Sequence, residues 1–139
     1  MEESSGEATG LPPETIRVLV VDDDKGVREM FLYALQKRGW YARGAEDGLQ
    51  ALRRLQDEAF TVVVTDLQMP RMDGLALLRE MRRTRSLLPV VIQTTLLDRS
   101  LEEMLQQAGA FRVLMKGGPL GFLVQSVKDA SKAYAGRPA

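Results

Sequence analysis

Apolar residues along this chain alternate between two kinds of spacing. Residues 16–21 (IRVLVV) form a near-continuous aliphatic run and read as a strand. Val27, Met30, Phe31, Ala34 and Leu35 then recur at helical spacing, and Gly39 follows as a stop. Residues 40–45 (WYARGA) make a weaker strand, and Leu49, Leu52 and Leu55 mark the next helix. Residues 60–65 are a third strand. A third helix carrying Leu75, Leu78 and Met81 is entered at Asp73 and Gly74. Residues 89–93 predict a short fourth strand. Ser100 and Glu103 have the spacing of a capping box for a helix with Leu101, Met104 and Leu105. Residues 111–115 are the fifth strand. Pro119 suits the first position of a last helix with Leu120, Leu123, Val124 and Val127.

Five strand–helix units with apolar strands predict an α/β fold, a parallel sheet covered by helices on both faces. Residues 1–15 are polar, contain Gly and Pro, and lack a period, so they read as a flexible arm or linker. Residues 135–139 (AGRPA) read as a tail, which leaves one domain over 16–134. In open parallel sheets, functional groups gather beyond the carboxyl ends of the strands. Here those ends carry Asp22, Asp23 and Asp24, then Asp66, then Thr94 and Thr95, then Lys116. All should meet at one rim.

Composition narrows the function. The 139 residues suffice for one real core. Lys plus Arg and Asp plus Glu number 19 each, so no basic footprint supports nucleic-acid binding. Arg79, Arg82, Arg83 and Arg85 form a basic run without interleaved aromatics, which reads as a solvated face. There is no cysteine, hence no disulfide and no thiol chemistry, and no histidine to act as base, ligand or phosphoryl carrier. No apolar run approaches the roughly 20 residues that span a bilayer. No secretion-signal pattern opens the chain, so a cytoplasmic location is expected.

The segment VVVTDLQMPRMDG, residues 62–74, poses the chemical question. A β-branched run ends in Asp66, and a charge at the tip of a buried strand is costly unless compensated. Close carboxylates also repel one another. An oxygen-preferring divalent cation supplies the counter-charge, and without His or Cys the donors favour Mg²⁺ or Mn²⁺ over Zn²⁺. Lys116 adds a fixed cation suited to a phosphoryl oxygen, and Thr94 adds a hydroxyl donor. A metal, an ammonium and a hydroxyl around one carboxylate are the parts needed to accept a phosphoryl group, with Asp66 as nucleophile.

Four segments then carry a resemblance. VLVVDDD, DLQMPRMDG, PVVIQTT and GAFRVLMK, in this order and each at a strand end, resemble the receiver domain of two-component response regulators. The resemblance covers roughly residues 16–134. It implies a flavodoxin-like, doubly wound sheet of five parallel strands in order 2-1-3-4-5 with five helices. It implies that Asp66 is the phosphoacceptor and that Asp22 and Asp23 are the acidic pair. Asp23, Asp66 and the backbone carbonyl of Gln68 would be direct ligands of Mg²⁺. Thr94 would be the switch hydroxyl, and Lys116 would contact the phosphoryl group. The implied donor is a sensor histidine kinase or a phosphotransfer protein. The implied output partner binds the face made by the fourth helix, fifth strand and fifth helix.

The departures from that pattern lie at the output end. Gly117 follows the lysine where the family has proline after a cis bond. A cis bond before glycine costs ~3 kcal/mol, so trans is expected. Val113 stands where an aromatic switch is common, Thr95 where Ala or Gly is preferred, and Gln93 at a usually apolar strand position. Taken singly, several residues have plainer readings. Asp73 is expected as an N-cap, Thr95 as a satisfied strand-end hydroxyl, and Asp24 as a residue behind the acidic pair. Two other classes compete with an active receiver. One is a degenerate receiver that binds partners without phosphorylation. The other is an aspartate-nucleophile phosphatase, which usually needs a second acid where this chain has Gln68. A flavin or nucleotide module is disfavoured by acids in the first strand–helix turn, where a phosphate cradle needs small neutral residues.

Overall fold

The structure is a computed structural model that describes residues 15–84 and 86–135. The expected arm, apart from Thr15, most of the expected tail and Arg85 lie outside the described residues. Five strands, β1 (Arg17–Val21), β2 (Tyr41–Ala45), β3 (Val62–Asp66), β4 (Val90–Thr94) and β5 (Arg112–Met115), alternate with five helices. The helices are α1 (Lys25–Lys37), α2 (Gly48–Asp57), α3 (Gly74–Arg83), α4 (Arg99–Gln107) and α5 (Leu120–Ala135). The strands form one parallel sheet in order β2-β1-β3-β4-β5. The expected architecture and strand order are both present.

The aliphatic runs work because both faces of the sheet are covered. Val18, Val20, Val62, Val64 and Val91 pack on one side with Phe31, Leu35, Leu123 and Val127. Leu19, Val21, Val63, Val90 and Ile92 pack on the other with Leu77, Leu78, Met81 and Leu105. Each such side chain contributes about 1.5–3 kcal/mol by leaving water. Val113 belongs to the second cluster and is buried.

The helix boundaries show where local chemistry decides. Asp24, Asp47, Asp73 and Asp98 each accept a hydrogen bond from the backbone N–H three residues on, and each starts a helix. Asp73 is thus the cap that its position predicts. The capping box at Ser100 and Glu103 is not formed. Asp98 caps α4 instead, bonding Leu101 N–H at 2.8 Å, and Ser100 lies inside the helix. Pro119 stands just before α5 rather than on its first residue. Gly39 ends α1 with φ +87°, a conformation open to glycine at little cost.

Several residues placed on apolar faces by their spacing are turned outward. Met30, Leu49, Met104 and Leu120 are exposed, since helical period alone does not say where a helix meets the sheet. Arg82 departs from the solvated-face reading. Its guanidinium donates to the carbonyls of Ser86 at 2.9 Å and Gly109 at 3.0 Å, tying the end of α3 to the turn after α4.

Candidate functional site at the carboxyl rim

The carboxyl ends of β1, β3, β4 and β5 bring the expected residues to one rim. Asp22 follows β1 and is 1% exposed, while Asp23 is open to solvent. Asp24 is occupied as the cap of α1, and its N–H donates to Asp22 Oδ1 at 2.9 Å. Asp66 is the last residue of β3 and is buried. The Lys116 ammonium donates to Asp66 Oδ2 at 2.8 Å and lies 3.0 Å from Asp22 Oδ2. Donor oxygens of Asp22, Asp23 and Asp66 lie within 4.8 Å of one another.

These charges are coupled. Burial pushes the Asp66 carboxyl pKa up, and the neighbouring Asp22 adds to that rise. The Lys116 hydrogen bond and charge, and the N–H of Gln68, pull the other way without cancelling it. Burial also opposes the Lys116 charge, but its bonds to Asp66 and Asp22 outweigh that and raise its pKa. Three carboxylates against one ammonium leave two negative charges uncompensated, which one divalent cation cancels. The donors are all oxygen, so the set fits a hard cation such as Mg²⁺. Asp22, Asp23 and Asp66 are the side chains that would hold it.

Thr94 is fully buried at the end of β4. Its hydroxyl closes the following turn, accepting from Leu96 N–H at 3.2 Å and lying 3.3 Å from the Leu96 carbonyl. Gln68 N–H reaches Asp66 Oδ1 only at 3.4 Å, and the Gln68 side chain accepts from Thr95 Oγ1 at 3.3 Å. That pair joins the loops after β3 and β4 across the mouth of the site. No peptide bond among the described residues is cis, so Gly117 follows Lys116 in trans as expected, with φ +85°.

A set of residues behind the loop after β3 is absent from the sequence-based list. Arg71 has φ +67°, which for a non-glycine residue is strained. Its guanidinium donates to Asp47 Oδ2 at 2.7 Å, and the buried Asp47 also accepts from Gln50 N–H to cap α2. The Gly48 N–H donates to the Met72 carbonyl, and a Cβ at Gly48 would lie 2.7 Å from Met72 Cγ. On the other flank, Gly74 N–H donates to Leu67 O at 2.8 Å, and a Cβ there would lie 2.4 Å from the Asp66 carbonyl oxygen. Asp47 could have been found as an acidic cap just before the leucine period of α2. Nothing in the sequence pairs it with Arg71.

A buried carboxylate ending the central strand, a lysine paired with it and an acidic pair on a 2-1-3-4-5 sheet define a class of protein. Residues 18–128 match the family model of the response regulator receiver domain, and the chain belongs to that family. The Francisella response regulator 1452 receiver domain superposes with a TM-score of 0.82 at 28% identity, over 86% of this chain and 98% of that one. The chemotaxis protein CheY4 of Vibrio cholerae gives 0.78 at 27%, over 84% and 98%. Among curated relatives, the response regulator MprA of Mycobacterium sp. strain KMS is 40% identical over 79 residues, 57% of this chain and 34% of its own length. A protein-glutamate methylesterase/protein-glutamine glutaminase of Rhodospirillum rubrum is 38% identical over 133 residues, 89% of this chain and 36% of its own length. The chain thus spans about a third of the length of these curated relatives.

Proposed function

We propose that this receiver domain is the phosphoacceptor module of a two-component system, with Asp66 taking a phosphoryl group from a phosphohistidine. The observation that carries the reading is the Lys116 ammonium bridging Asp22 and Asp66, with Asp23 beside them. In the transfer, a carboxylate oxygen of Asp66 bonds to phosphorus while the bond from phosphorus to the donor's imidazole nitrogen breaks. The imidazole leaves and takes up a proton, and an acyl phosphate remains on Asp66. The chain contributes position and charge rather than a base of its own. The end of β3 fixes the nucleophile, and the loop through Gly74 keeps its approach constant. Lys116 is placed to pair with a phosphoryl oxygen once Asp66 has been modified. Thr94 would leave its turn with Leu96 to donate to another oxygen. Bound Mg²⁺ would neutralise the repulsion between the incoming phosphoryl group and the acidic pair. The donor would be a sensor histidine kinase or a phosphotransfer protein.

The output surface in this reading is the face of α4, β5 and α5. Met104 on α4 and Met115 at the end of β5 are exposed there, as a partner surface of apolar character requires. Val113 is buried and β-branched, with a stiff side-chain torsion, so the switch does not turn on a ring at that position. The loop carrying Lys116, Gly117 and Gly118 is the element left to move.

The test is intact mass after incubation with Mg²⁺ and acetyl phosphate. Wild type should gain one phosphoryl group, and Asp66→Ala should gain none. Asp23→Asn should lose metal binding and phosphorylation together. A phosphoryl group persisting in Asp66→Ala, or undiminished labelling in excess chelator, would contradict the assignment. No gain in wild type would instead identify an interaction module that works unphosphorylated.

A further inference from the structure

Beside the rim lies a cavity of about 520 Å³ between α1, the end of β5 and the start of α5. Its walls are nearly all apolar, among them Met30, Phe31, Leu114, Pro119, Phe122 and Leu123. The volume lies in the range of sites that enclose small molecules. Met30 and Phe122 are 54% and 63% exposed, and Leu120 is also exposed, so apolar surface gathers around the opening. Methionine and phenylalanine side chains there can adapt to a guest.

One residue lining this cavity does not belong with the rest. Gln93 is the β4 residue in register with Asp66 on one side and Leu114 on the other. It is 5% exposed, and its side chain lines the cavity. Among the described residues, its amide group makes no hydrogen bond. A buried amide without a partner is destabilising in a folded chain, and an aliphatic residue would suit the position better for packing alone. Lys116 lines the same cavity, but its ammonium is already shared by Asp22 and Asp66. The side-chain hydrogen-bonding capacity left over among the described lining residues is therefore one neutral amide, with one N–H₂ group and one carbonyl, among apolar walls.

We propose that this cavity is a binding site for a small apolar molecule bearing a neutral carboxamide, which pairs reciprocally with the Gln93 amide. The carboxamide carbonyl accepts from Gln93 Nε2 and its N–H₂ donates to Gln93 Oε1. The aromatic or alkyl body lies against Phe31, Phe122 and Leu123. A carboxylate fits less well, because it offers no donor to Oε1 and the nearby cation is already paired. A partner's apolar side chain could fill the walls but would leave the amide unpaired. The site goes beyond the phosphoacceptor reading and does not depend on it. It is tested on unphosphorylated, metal-free protein, so its failure leaves that reading standing.

The test is an NMR titration of the whole chain with benzamide and, separately, with ethylbenzene as the matched hydrocarbon. Benzamide should shift the Gln93 side-chain N–H₂ signal and the backbone amides of residues 114–123 saturably. Gln93→Leu should weaken benzamide about tenfold, the equivalent of roughly 1.4 kcal/mol, and leave ethylbenzene as tight or tighter. Phe122→Ala, at an exposed position that the fold does not need, should weaken both probes. Absence of saturable shifts up to the solubility limit would overturn the proposal. So would equal benzamide affinity in wild type and Gln93→Leu, or benzamide binding indifferent to Phe122→Ala. In those cases the apolar opening is a protein-facing surface only.

Discussion

Two loops at the same rim are built in opposite ways. The loop after β3, residues 67–73, follows Asp66 and is tied down at several points along its length. Leu67 bonds the Gln93 and Gly74 backbones, Met72 accepts from Gly48, Arg71 pairs with Asp47, and Asp73 caps α3. The loop after β5, residues 116–119, begins at Lys116 and has fewer such ties after it. Lys116 itself is held, its N–H donating to Thr94 O at 2.8 Å and its ammonium to Asp66, and beyond it the backbone bonds are Gly118 N–H to Met115 O at 3.3 Å and Phe122 N–H to Pro119 O at 3.1 Å. A Cβ added at Gly117 would meet nothing within 4 Å. Asp66, the nucleophile in the proposed reading, thus precedes a braced loop, while the residues just after Lys116 form a looser one. A reaction that relies on position needs the first, and a switch that relies on two arrangements needs the second.

Substituting the two loops' glycines should expose the difference most strongly. Gly74→Ala drives a methyl group into the Asp66 carbonyl, which is backbone and cannot yield cheaply. A loss of about 3 kcal/mol is expected, a Tm drop on the order of 10 °C in thermal unfolding. A stable Gly74→Ala protein with unaltered phosphorylation would break the picture of a braced support.

Asp47→Ala comes next. It removes the α2 cap and the anchor of Arg71, for about 1–2 kcal/mol at neutral pH. The effect should depend on pH in a stated direction. The N–H of Gln50 holds the Asp47 carboxyl below its ordinary range, with Arg71 adding to that against the opposing effect of burial. Its contribution is therefore complete above the unfolded pKa of about 3.9. It is lost as pH falls through the lower folded value. Denaturant melts of wild type and Asp47→Ala should converge in acid. A gap that widens below pH 4 would contradict the assignment.

The smallest effects should come from two positive-φ positions. Gly117→Ala has open space and only its backbone conformation to resist it, so about 1 kcal/mol is expected. Arg71→Gly relieves strain but loses an exposed pairing, and should stay within about 0.5 kcal/mol of wild type. If Gly117→Ala proved as damaging as Gly74→Ala, the second loop would be braced after all.

This contrast also marks what the sequence could and could not say. Strand order, the two-sided core and the gathering of Asp22, Asp23, Asp66, Thr94 and Lys116 at one rim were legible. The core and the rim follow from strand ends, which are set by where an aliphatic run stops, whereas the strand order came through the resemblance to receiver domains. The cap of α4 was misplaced because Ser100 and Asp98 are both good caps, and only the backbone conformation at Asp98 decides between them. The Arg71 to Asp47 brace was invisible because it joins residues 24 apart, on two loops whose approach depends on the fold. Arg82 read as surface because its composition is polar, although its partners are backbone carbonyls that no side-chain pattern reports. The outward turn of Met30 and Leu120 was hidden for a related reason. Apolar spacing marks a helix face but does not distinguish a core from an opening.

The most direct measurement is amide hydrogen exchange on the metal-free protein and on the protein with Mg²⁺ and beryllofluoride, a stable phosphoryl mimic. The central claim is that acceptance on Asp66 is transmitted by the loose loop while the braced loop holds still. Exchange should change at residues 94–100 and 114–121 and stay nearly constant at 69–74. If residues 114–121 are unaltered while 69–74 or the body of α4 responds, the division of labour between the two loops is wrong.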